Sequence, residues 1–203
     1  MNKGLLIVVS GPSGAGKGTI CKQLLKLEPD VMLSVSATTR APRTGEIEGK
    51  NYYFLSKNEF ESLIEKDEFL EYANVYGNYY GTPKKYVEEK NLEGKNVLLE
   101  IDIQGALQIK EKYPHGVFIF ILPPSAKELK HRIINRGTET EAAIEQRFKS
   151  AFDEINYVKK YDYCVVNDDV DAAVDKVKAI IKAERCRITE DIDSIISRFK
   201  EEI

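Results

Sequence analysis

The chain has 203 residues, of which 42% are hydrophobic and 31% are charged, a composition typical of folded globular proteins that argues against a disordered or fibrous one. The length suits one compact α/β core with inserted segments and is short for two independent domains. The formal net charge of −3 excludes a general attraction for nucleic acid or an anionic membrane, so any anion binding must come from local clusters of arginine and lysine.

The N-terminal segment, the apolar runs and the Cys and His residues indicate the cellular compartment and the kinds of metal site that the chain could form. The first residues lead directly into a strand-like segment without a signal-peptide pattern, and no apolar run reaches the length of a membrane span, so we expect a cytoplasmic protein. The cysteines Cys21, Cys164 and Cys186 are far apart and predict neither a disulfide framework nor a zinc site. With only His115 and His131 in the chain, a histidine metal site or a Ser-His-Asp triad has little material.

The first predicted elements are a strand, a glycine-rich turn and a helix. Residues 5–9 form a continuous apolar run, typical of a strand buried on both faces. From Thr19, apolar residues recur at helical spacing until Pro29 ends the helix. Three similar apolar runs, each followed by a helical pattern, lie at 97–101, 118–122 and 163–166. Strands that alternate with helices predict an α/β core, a parallel sheet with helices on both faces.

Two stretches interrupt this alternation. Residues 34–83 are rich in Arg, Gly, Tyr and Glu and include a capped helix, signalled by Ser56 with Glu59 three residues later, so we predict an inserted substrate-binding lobe. The second stretch begins at Ser125, another capping-box signal with Glu128, and predicts a basic helical hairpin that serves as a lid. The same stretch also contains the residues that make it basic, together with one glycine: Arg132, Arg136, Gly137 and Arg147.

A last helix is predicted near the C-terminus, because apolar residues line one of its faces. These residues are Ile192, Ile195, Ile196 and Phe199. Apolar helix faces mostly serve folding, so we expect this face to pack on the core, with a surface for a partner as the alternative.

The glycine-rich segment GPSGAGKG has the context of a phosphate-binding P-loop, since it follows the first strand and precedes the first helix. Its backbone N–H groups can surround phosphate oxygens, and Lys17 can reach the β and γ phosphates of a nucleoside triphosphate. Gly18 stands where the usual pattern has Ser or Thr, and the hydroxyl follows at Thr19, which weakens the case for direct Mg²⁺ ligation by the loop. The predicted nucleoside-triphosphate-binding segment, which the family resemblance given below implies binds ATP, comprises Gly11, Pro12, Ser13, Gly14, Ala15, Gly16, Lys17, Gly18 and Thr19.

A second anion site is predicted downstream of the P-loop. Arg40 and Arg43 are three residues apart, with Pro42 between them, and Tyr52 follows. Two guanidinium groups and a phenol suit a dianion, because arginine donates paired hydrogen bonds and stays charged. By itself, the stretch is equally compatible with a solvated basic loop.

Five segments together resemble the successive signatures of the guanylate kinases, in the expected order and at plausible spacings. They are the P-loop, the arginine-rich stretch at 34–54, GNYYGT at 77–82, LEIDIQG at 99–105 and NRGTETE at 135–141. The resemblance implies a P-loop nucleoside monophosphate kinase fold: a five-stranded parallel sheet core with helices on both faces, an inserted GMP-binding lobe and a helical lid. The implied single domain spans 1–203, with its core at about 1–33, 84–124 and 160–203, the lobe at about 34–83 and the lid at about 125–159.

The resemblance also implies a role for each matching residue. Guanine would be held by Ser36, Glu71 and Thr82, where Thr82 replaces the family's commoner Ser. The GMP phosphate would be held by Arg40, Arg43, Tyr52 and Tyr80. Acidic positions near GMP and the metal correspond to Glu100 and Asp102, with Glu100 where some members have Asp. The lid arginines correspond to Arg132, Arg136 and Arg147, and a residue near the adenine to Asn167. The implied catalytic residues are Lys17, Arg43, Arg136 and Arg147.

The activity that the resemblance implies is transfer of the terminal phosphoryl group of ATP to GMP, and also to dGMP, for purine nucleotide recycling and GTP supply. Mg²⁺ would accompany ATP, held through phosphates and waters, and no nucleic acid or membrane partner is expected. A phosphate monoester has a second pKa near 6, so the acceptor oxygen of GMP is already anionic and needs no strong base. The scarcity of histidine therefore fits this chemistry.

Other functions fit parts of the sequence. A non-catalytic guanylate-kinase-like module that binds proteins should lack the P-loop lysine or the lid arginines, whereas Lys17, Arg136 and Arg147 are present here. A kinase for another nucleotide is a second alternative. A GTPase is a third, but it should carry an NKxD-type guanine motif, which the chain lacks.

Overall fold

The computed structural model describes residues 3–75, 77–134, 141–188 and 192–202. The strands are β1 (Leu6–Ser10), β2 (Val31–Leu33), β3 (Ala37–Thr38), β4 (Tyr53–Phe54), β5 (Phe69–Val75), β6 (Asn78–Pro83), β7 (Asn96–Glu100), β8 (Val117–Leu122) and β9 (Tyr163–Val166). The helices are α1 (Lys17–Leu27), α2 (Lys57–Glu65), α3 (Lys84–Leu92), α4 (Ile103–Lys112), α5 (Ala126–Ile134), α6 (Glu141–Ile155), α7 (Val170–Glu184) and α8 (Ile192–Glu201). A short 3₁₀ helix, Asn156–Lys160, follows α6.

The central layer is a five-stranded sheet in the order β2-β7-β1-β8-β9, and its pairings are all parallel. Successive residues of β1 point to opposite faces, and Ile7 and Val8 are both fully buried because helices cover both sides. Helices α1 and α7 pack on the face that contains Ile7, while α3 and α4 pack on the face that contains Val8. The predicted α/β core with a five-stranded parallel sheet is therefore confirmed.

The observed element boundaries differ from the predicted ones by one or two residues. Strand β1 continues to Ser10, and α1 begins at Lys17, two residues before the predicted start. The helix begins there because Gly16, with a φ of 93°, provides the left-handed turn between loop and helix. Strand β2 has only three residues, which is too short to leave a periodic pattern in the sequence.

The predicted inserted segment forms a second sheet of four strands, in the order β4-β3-β6-β5. Helix α2 covers this sheet with Phe60, which is fully buried and stacks on Phe69 with 4.4 Å between ring centroids. The predicted capping box is confirmed, since Ser56 Oγ accepts from the Glu59 N–H at 3.3 Å and the Glu59 carboxylate accepts from the Ser56 N–H at 2.8 Å. Local sequence therefore determines where this helix begins.

Helices α5 and α6 form the predicted hairpin and pack through Leu129, Ile133 and Ala151. Ser125 Oγ accepts from the Glu128 N–H at 3.1 Å, as expected of a helix cap. The Glu128 carboxylate accepts from Arg132 Nε at 2.7 Å, four residues later on the same helix face.

The C-terminal helix α8 does not pack as expected. Ile196 and Phe199 are 43% and 67% exposed, so the prediction that they join the core is wrong, and the side chain of Ile195 lies outside the described part. Both faces of the central sheet are already covered by other helices, which leaves these two side chains no sheet surface.

The helices in the part of the chain that the structure describes include none with the length and apolar character of a membrane-spanning segment. Cys21 is a buried free thiol, and Cys164 and Cys186 are exposed free thiols.

Candidate active site

The loop between β1 and α1 has the backbone shape of an anion-binding cradle. Gly11 and Gly16 have φ angles of 144° and 93°, in the region that favours glycine. A Cβ on Gly11 would lie 2.3 Å from the carbonyl oxygen of Ile121, so the close packing of the loop on β8 also requires glycine. Because the loop ends at the N-terminus of α1, backbone N–H groups and the helix dipole favour a bound anion there.

Lys17 lies across this loop. Its Nζ donates to the carbonyl oxygen of Gly11 at 2.6 Å and to that of Pro12 at 3.2 Å. The ammonium group is therefore held at the cradle by the loop's own backbone, within reach of an anion bound to the same loop. The role of Lys17 at the β and γ phosphates stays a prediction.

The predicted lid contacts the P-loop at Ser13. Arg147 on α6 donates from Nη2 to Ser13 Oγ at 3.0 Å. Two turns further along α6, Glu154 accepts a hydrogen bond from the Ser13 backbone. Burial raises the pKa of the Glu154 carboxyl group, and the nearby Lys17 opposes that rise. Sequence analysis missed Glu154, although its spacing of seven residues from Arg147 places both on one face of α6. Arg136 lies outside the described residues.

Arg132 and Asn167 border a cavity of about 320 Å³ beside the P-loop. Asn167 Nδ2 donates to the carbonyl oxygen of Ala15 at 2.8 Å, and Arg132 donates to the carbonyl oxygen of Asn167 at 3.1 Å. Asn167 Oδ1 is buried and has no hydrogen-bond partner among the described residues. Thr19 lines the same cavity, which places the hydroxyl that follows Gly18 on this side of the loop.

Gly18 faces the end of β7. A Cβ at this position would lie 3.3 Å from Glu100 Oε1, so the Glu100 carboxylate lies where a serine or threonine side chain would extend. Asp102 caps α4, accepting at Oδ1 from the N–H groups of Gln104 at 2.7 Å and Gly105 at 3.0 Å. The described residues contain no cluster of three or more His, Cys, Asp or Glu that could hold a metal ion. The Glu100 carboxylate beside the cradle is the kind of oxygen donor that Mg²⁺ prefers, which suits a metal ion that arrives with nucleotide phosphates.

The predicted dianion receptor is partly assembled. Tyr52 and Tyr80 lie with their ring centroids 6.0 Å apart, and the Arg40 guanidinium is 5.4 Å from the Tyr52 ring. Arg40 also donates two hydrogen bonds to Glu46, at 3.0 and 2.9 Å, and this pairing lowers the pKa of Glu46. Arg43 has an exposed side chain, and its backbone N–H donates to the same carboxylate at 2.7 Å. Sequence analysis missed Glu46, although an acidic residue so close to two arginines is a signal for such a pair.

Glu71 and Thr82, two of the three predicted base-binding residues, are brought together by strand pairing. They lie opposite each other on β5 and β6, and Thr82 Oγ1 donates to Glu71 Oε1 at 2.7 Å. Glu71 is only 2% exposed, and burial raises the pKa of its carboxyl group to about 7. Ser36 directly precedes β3 and is half-buried. A buried carboxylate with one hydroxyl partner is the kind of group that selects a ligand by its hydrogen-bond donors.

The buried Glu71 carboxyl group makes stability dependent on pH. Its pKa is about 7 in the fold and 4.5 as the ordinary value, so the folded state binds this proton more tightly. Its contribution is fully present below pH 4.5 and is lost as the pH rises through 7. We expect the unfolding free energy of the wild type, relative to Glu71→Gln, to fall by about 3 kcal/mol over that range. Urea unfolding of both proteins at pH 5, 6, 7 and 8 measures the two unfolding free energies. A difference between them that does not change with pH would contradict the prediction.

Comparison with known proteins identifies the family of this chain. The guanylate kinase family model matches residues 3–184. The chain is 69% identical over 171 residues to a guanylate kinase of Clostridium acetobutylicum, covering 84% of this chain and 81% of the relative. It is 58% identical over 203 residues to a guanylate kinase of Clostridioides difficile, covering 100% and 99%. The crystal structure of guanylate kinase from Anaplasma phagocytophilum is similar, with a TM-score of 0.82, 38% identity, and coverage of 98% of this chain and 97% of that one. The chain thus belongs to the guanylate kinase family.

Proposed function

We propose that this chain transfers the terminal phosphoryl group of ATP to GMP, giving ADP and GDP, and accepts dGMP as well. We place this activity in the cytoplasm, in purine nucleotide recycling. The observation that carries the proposal is the buried Glu71–Thr82 pair, which lies in a chain that also has a complete P-loop with Lys17. Family membership supports the same reaction.

The acceptor base is read by hydrogen bonds. Guanine presents two adjacent donors, N1–H and the exocyclic amine, and one carboxylate can accept from both of them. The single hydroxyl proton of Thr82 is donated to Glu71, so Ser36 is the hydroxyl that remains to donate to guanine O6. Adenine presents an acceptor at N1, which would face the carboxylate lone pairs and leave a buried polar group unpaired.

The acceptor phosphate binds at Arg40, Arg43, Tyr52 and Tyr80. Glu46 is paired with Arg40, so a phosphate dianion at this site would share or compete for the same guanidinium group. The attacking oxygen is already anionic, and the protein's contribution is to cancel charge repulsion and to align the two nucleotides. No general base is therefore required.

The donor nucleotide binds with its phosphates in the P-loop and its adenine in the cavity beside Asn167 and Arg132. Asn167 lines this cavity and is the residue that would lie near the adenine. When bound, Mg²⁺ neutralises phosphate charge, and Glu100 and Asp102 are the side chains that would hold it directly or through water. The moving parts are the lobe at about 34–83 and the lid at about 125–159, which exclude water from the site when they close.

Arg147 acts on the transferring phosphoryl group in this scheme, together with Arg136. We expect Arg147→Ala to lower kcat by about 10²-fold and to change the KM for GMP by less than about twofold, because its charge is needed mainly in the transition state. Steady-state kinetics with ATP and GMP measures both constants. The matched control is Lys149→Ala, which removes an exposed positive charge from the same helix. A weaker affinity for GMP with unchanged kcat would place Arg147 in the acceptor site.

The proposed function is tested by a panel of acceptors. ADP release from ATP is measured for the purified protein with GMP, dGMP, AMP, CMP and UMP. We expect kcat/KM to be at least about 10³-fold higher for GMP than for AMP, because the buried carboxylate rejects adenine. Equal use of AMP would indicate a kinase for another nucleotide. Absence of turnover with every acceptor would favour the non-catalytic module.

A further inference from the structure

Side chains on one face of α4 form hydrogen bonds with the backbone at the outer edge of β5. Strand β5 is at the edge of its sheet, so the backbone groups on its outer side have no neighbouring strand. Gln108 supplies both missing partners at Tyr72: its Oε1 accepts from the Tyr72 N–H at 3.3 Å, and its Nε2 donates to the Tyr72 carbonyl oxygen at 2.8 Å. One turn later, Lys112 Nζ donates to the carbonyl oxygen of Leu70 at 2.7 Å.

Glu71 lies between the two residues whose backbone is held in this way. Its side chain turns toward Gly105, one turn before Gln108 on the same face of α4. A Cβ at position 105 would lie 2.2 Å from Glu71 Oε2 and 2.8 Å from its Cδ, closer than any real contact allows. The carboxylate therefore occupies the space that a side chain at position 105 would take.

The glycine at 105 is not needed for the backbone. Gly105 lies within α4 and is not among the glycines with positive φ, so any residue could adopt its conformation. Alanine is a better helix former than glycine, and the substitution should favour the helix itself. The remaining reason for glycine at this position is the space that it leaves for Glu71.

We propose that Gly105 and Gln108 are positioning residues for guanine selection, Gly105 by leaving room for the Glu71 carboxylate and Gln108 by holding the backbone beside it. This inference rests on the proposed function, in which Glu71 reads the base. Thr82 holds Oε1 at 2.7 Å, and the open face of Gly105 sets how far Oε2 can extend. Helix α4 belongs to the core, so it also positions the base reader of the lobe relative to the core.

The first test is Gly105→Ala. We expect the KM for GMP to rise by about tenfold or more and the GMP over AMP ratio of kcat/KM to fall by a similar factor, because the carboxylate must move by about 1 Å. The KM for ATP should stay within about twofold, and thermal unfolding of the variant should show that it remains folded at the assay temperature. The matched control is Gln104→Ala, an exposed neighbour in the same turn, which should leave all of these values unchanged.

A double-mutant cycle tests whether the effect passes through the carboxylate. Glu71→Asp withdraws the carboxylate by one methylene group, so Gly105→Ala should raise the KM for GMP much less in that background than in the wild type. Additive effects would overturn the proposal. An unchanged GMP over AMP ratio in Gly105→Ala would overturn it as well.

Gln108→Ala keeps the inference testable if Gly105→Ala does not fold, since it removes two hydrogen bonds without creating a clash. We expect a rise of about threefold to tenfold in the KM for GMP, with kcat and the KM for ATP nearly unchanged. An unchanged KM for GMP would remove Gln108 from the proposal. If the wild type itself shows no preference for GMP over AMP, the proposed function fails. If the wild type prefers GMP and both variants keep that preference, only this inference fails.

Discussion

Lys17→Ala is expected to lower kcat by about 10²-fold or more and to leave GMP binding nearly unchanged. The Nζ of Lys17 is held at the P-loop by the carbonyl oxygens of Gly11 and Pro12, at 2.6 and 3.2 Å. From this position it can follow the charge that develops on the β and γ phosphates, which no neutral side chain can replace. The GMP site consists of other residues, so its affinity should be retained.

The experiment separates binding from turnover. Steady-state kinetics gives kcat, and isothermal titration calorimetry gives the Kd for GMP. The control is Lys22→Ala, which removes an exposed lysine from the same helix and should leave both quantities unchanged. If Lys17→Ala retains kcat within about threefold of the wild type, the P-loop lysine has no role in phosphoryl transfer.

Glu71→Ala is expected to raise the KM for GMP strongly and to narrow the preference for GMP over AMP, mainly through the loss of GMP. Glu71 is 2% exposed and accepts a hydrogen bond from Thr82, so its carboxyl group is not a solvated surface charge. An unpaired buried polar group costs about 1–3 kcal/mol, and a site built around substrate hydrogen bonds can reject the wrong analogue by about 10⁴-fold. Removal of the carboxylate removes this discrimination without creating a partner for adenine.

Two further variants sharpen this test. Glu71→Gln keeps the size of the side chain but directs an amide donor at guanine donors, so it should also lose GMP affinity. The control is Glu68→Ala, which removes an exposed carboxylate next to the start of β5. It should change neither the KM for GMP nor the GMP over AMP ratio of kcat/KM. Kinetics with GMP and AMP for each variant decides the matter. An unchanged ratio of kcat/KM in Glu71→Ala would leave guanine selection to the hydroxyls alone.

Features that depend on neighbouring residues in the chain could be predicted from the sequence. The apolar runs identified four strands of the central sheet, and glycines, lysine and helix in register identified the P-loop. The Ser56–Glu59 capping box formed as expected, because its atoms are three residues apart. The family resemblance supplied the fifth strand, which is too short to leave a pattern of its own, and the roles of the site residues, which stay predictions.

Contacts between distant segments could be decided only by the tertiary structure. Gln108 pairs with the backbone of Tyr72 over 36 positions, and Arg147 meets Ser13 over 134. Neither pair leaves a spacing signal, because its geometry depends on how the sheets and helices pack. The exposed face of α8 is decided in the same way, since its pattern suits a core helix but both faces of the sheet are already covered.

By itself, the amino-acid sequence determined four strands of the central sheet, the first helix, the capped helix of the lobe, the phosphate cradle and the residue types available for chemistry, because local periodicity and turn geometry act within a few residues. Only the tertiary structure decided which charges neutralise each other and which carboxylates are buried. The Glu46 carboxylate forms an ion pair with Arg40, and the Glu71 carboxylate occupies the space beside Gly105. Burial and distance set the pKa of a carboxyl group and the direction in which it points, and neither quantity exists until the chain has folded.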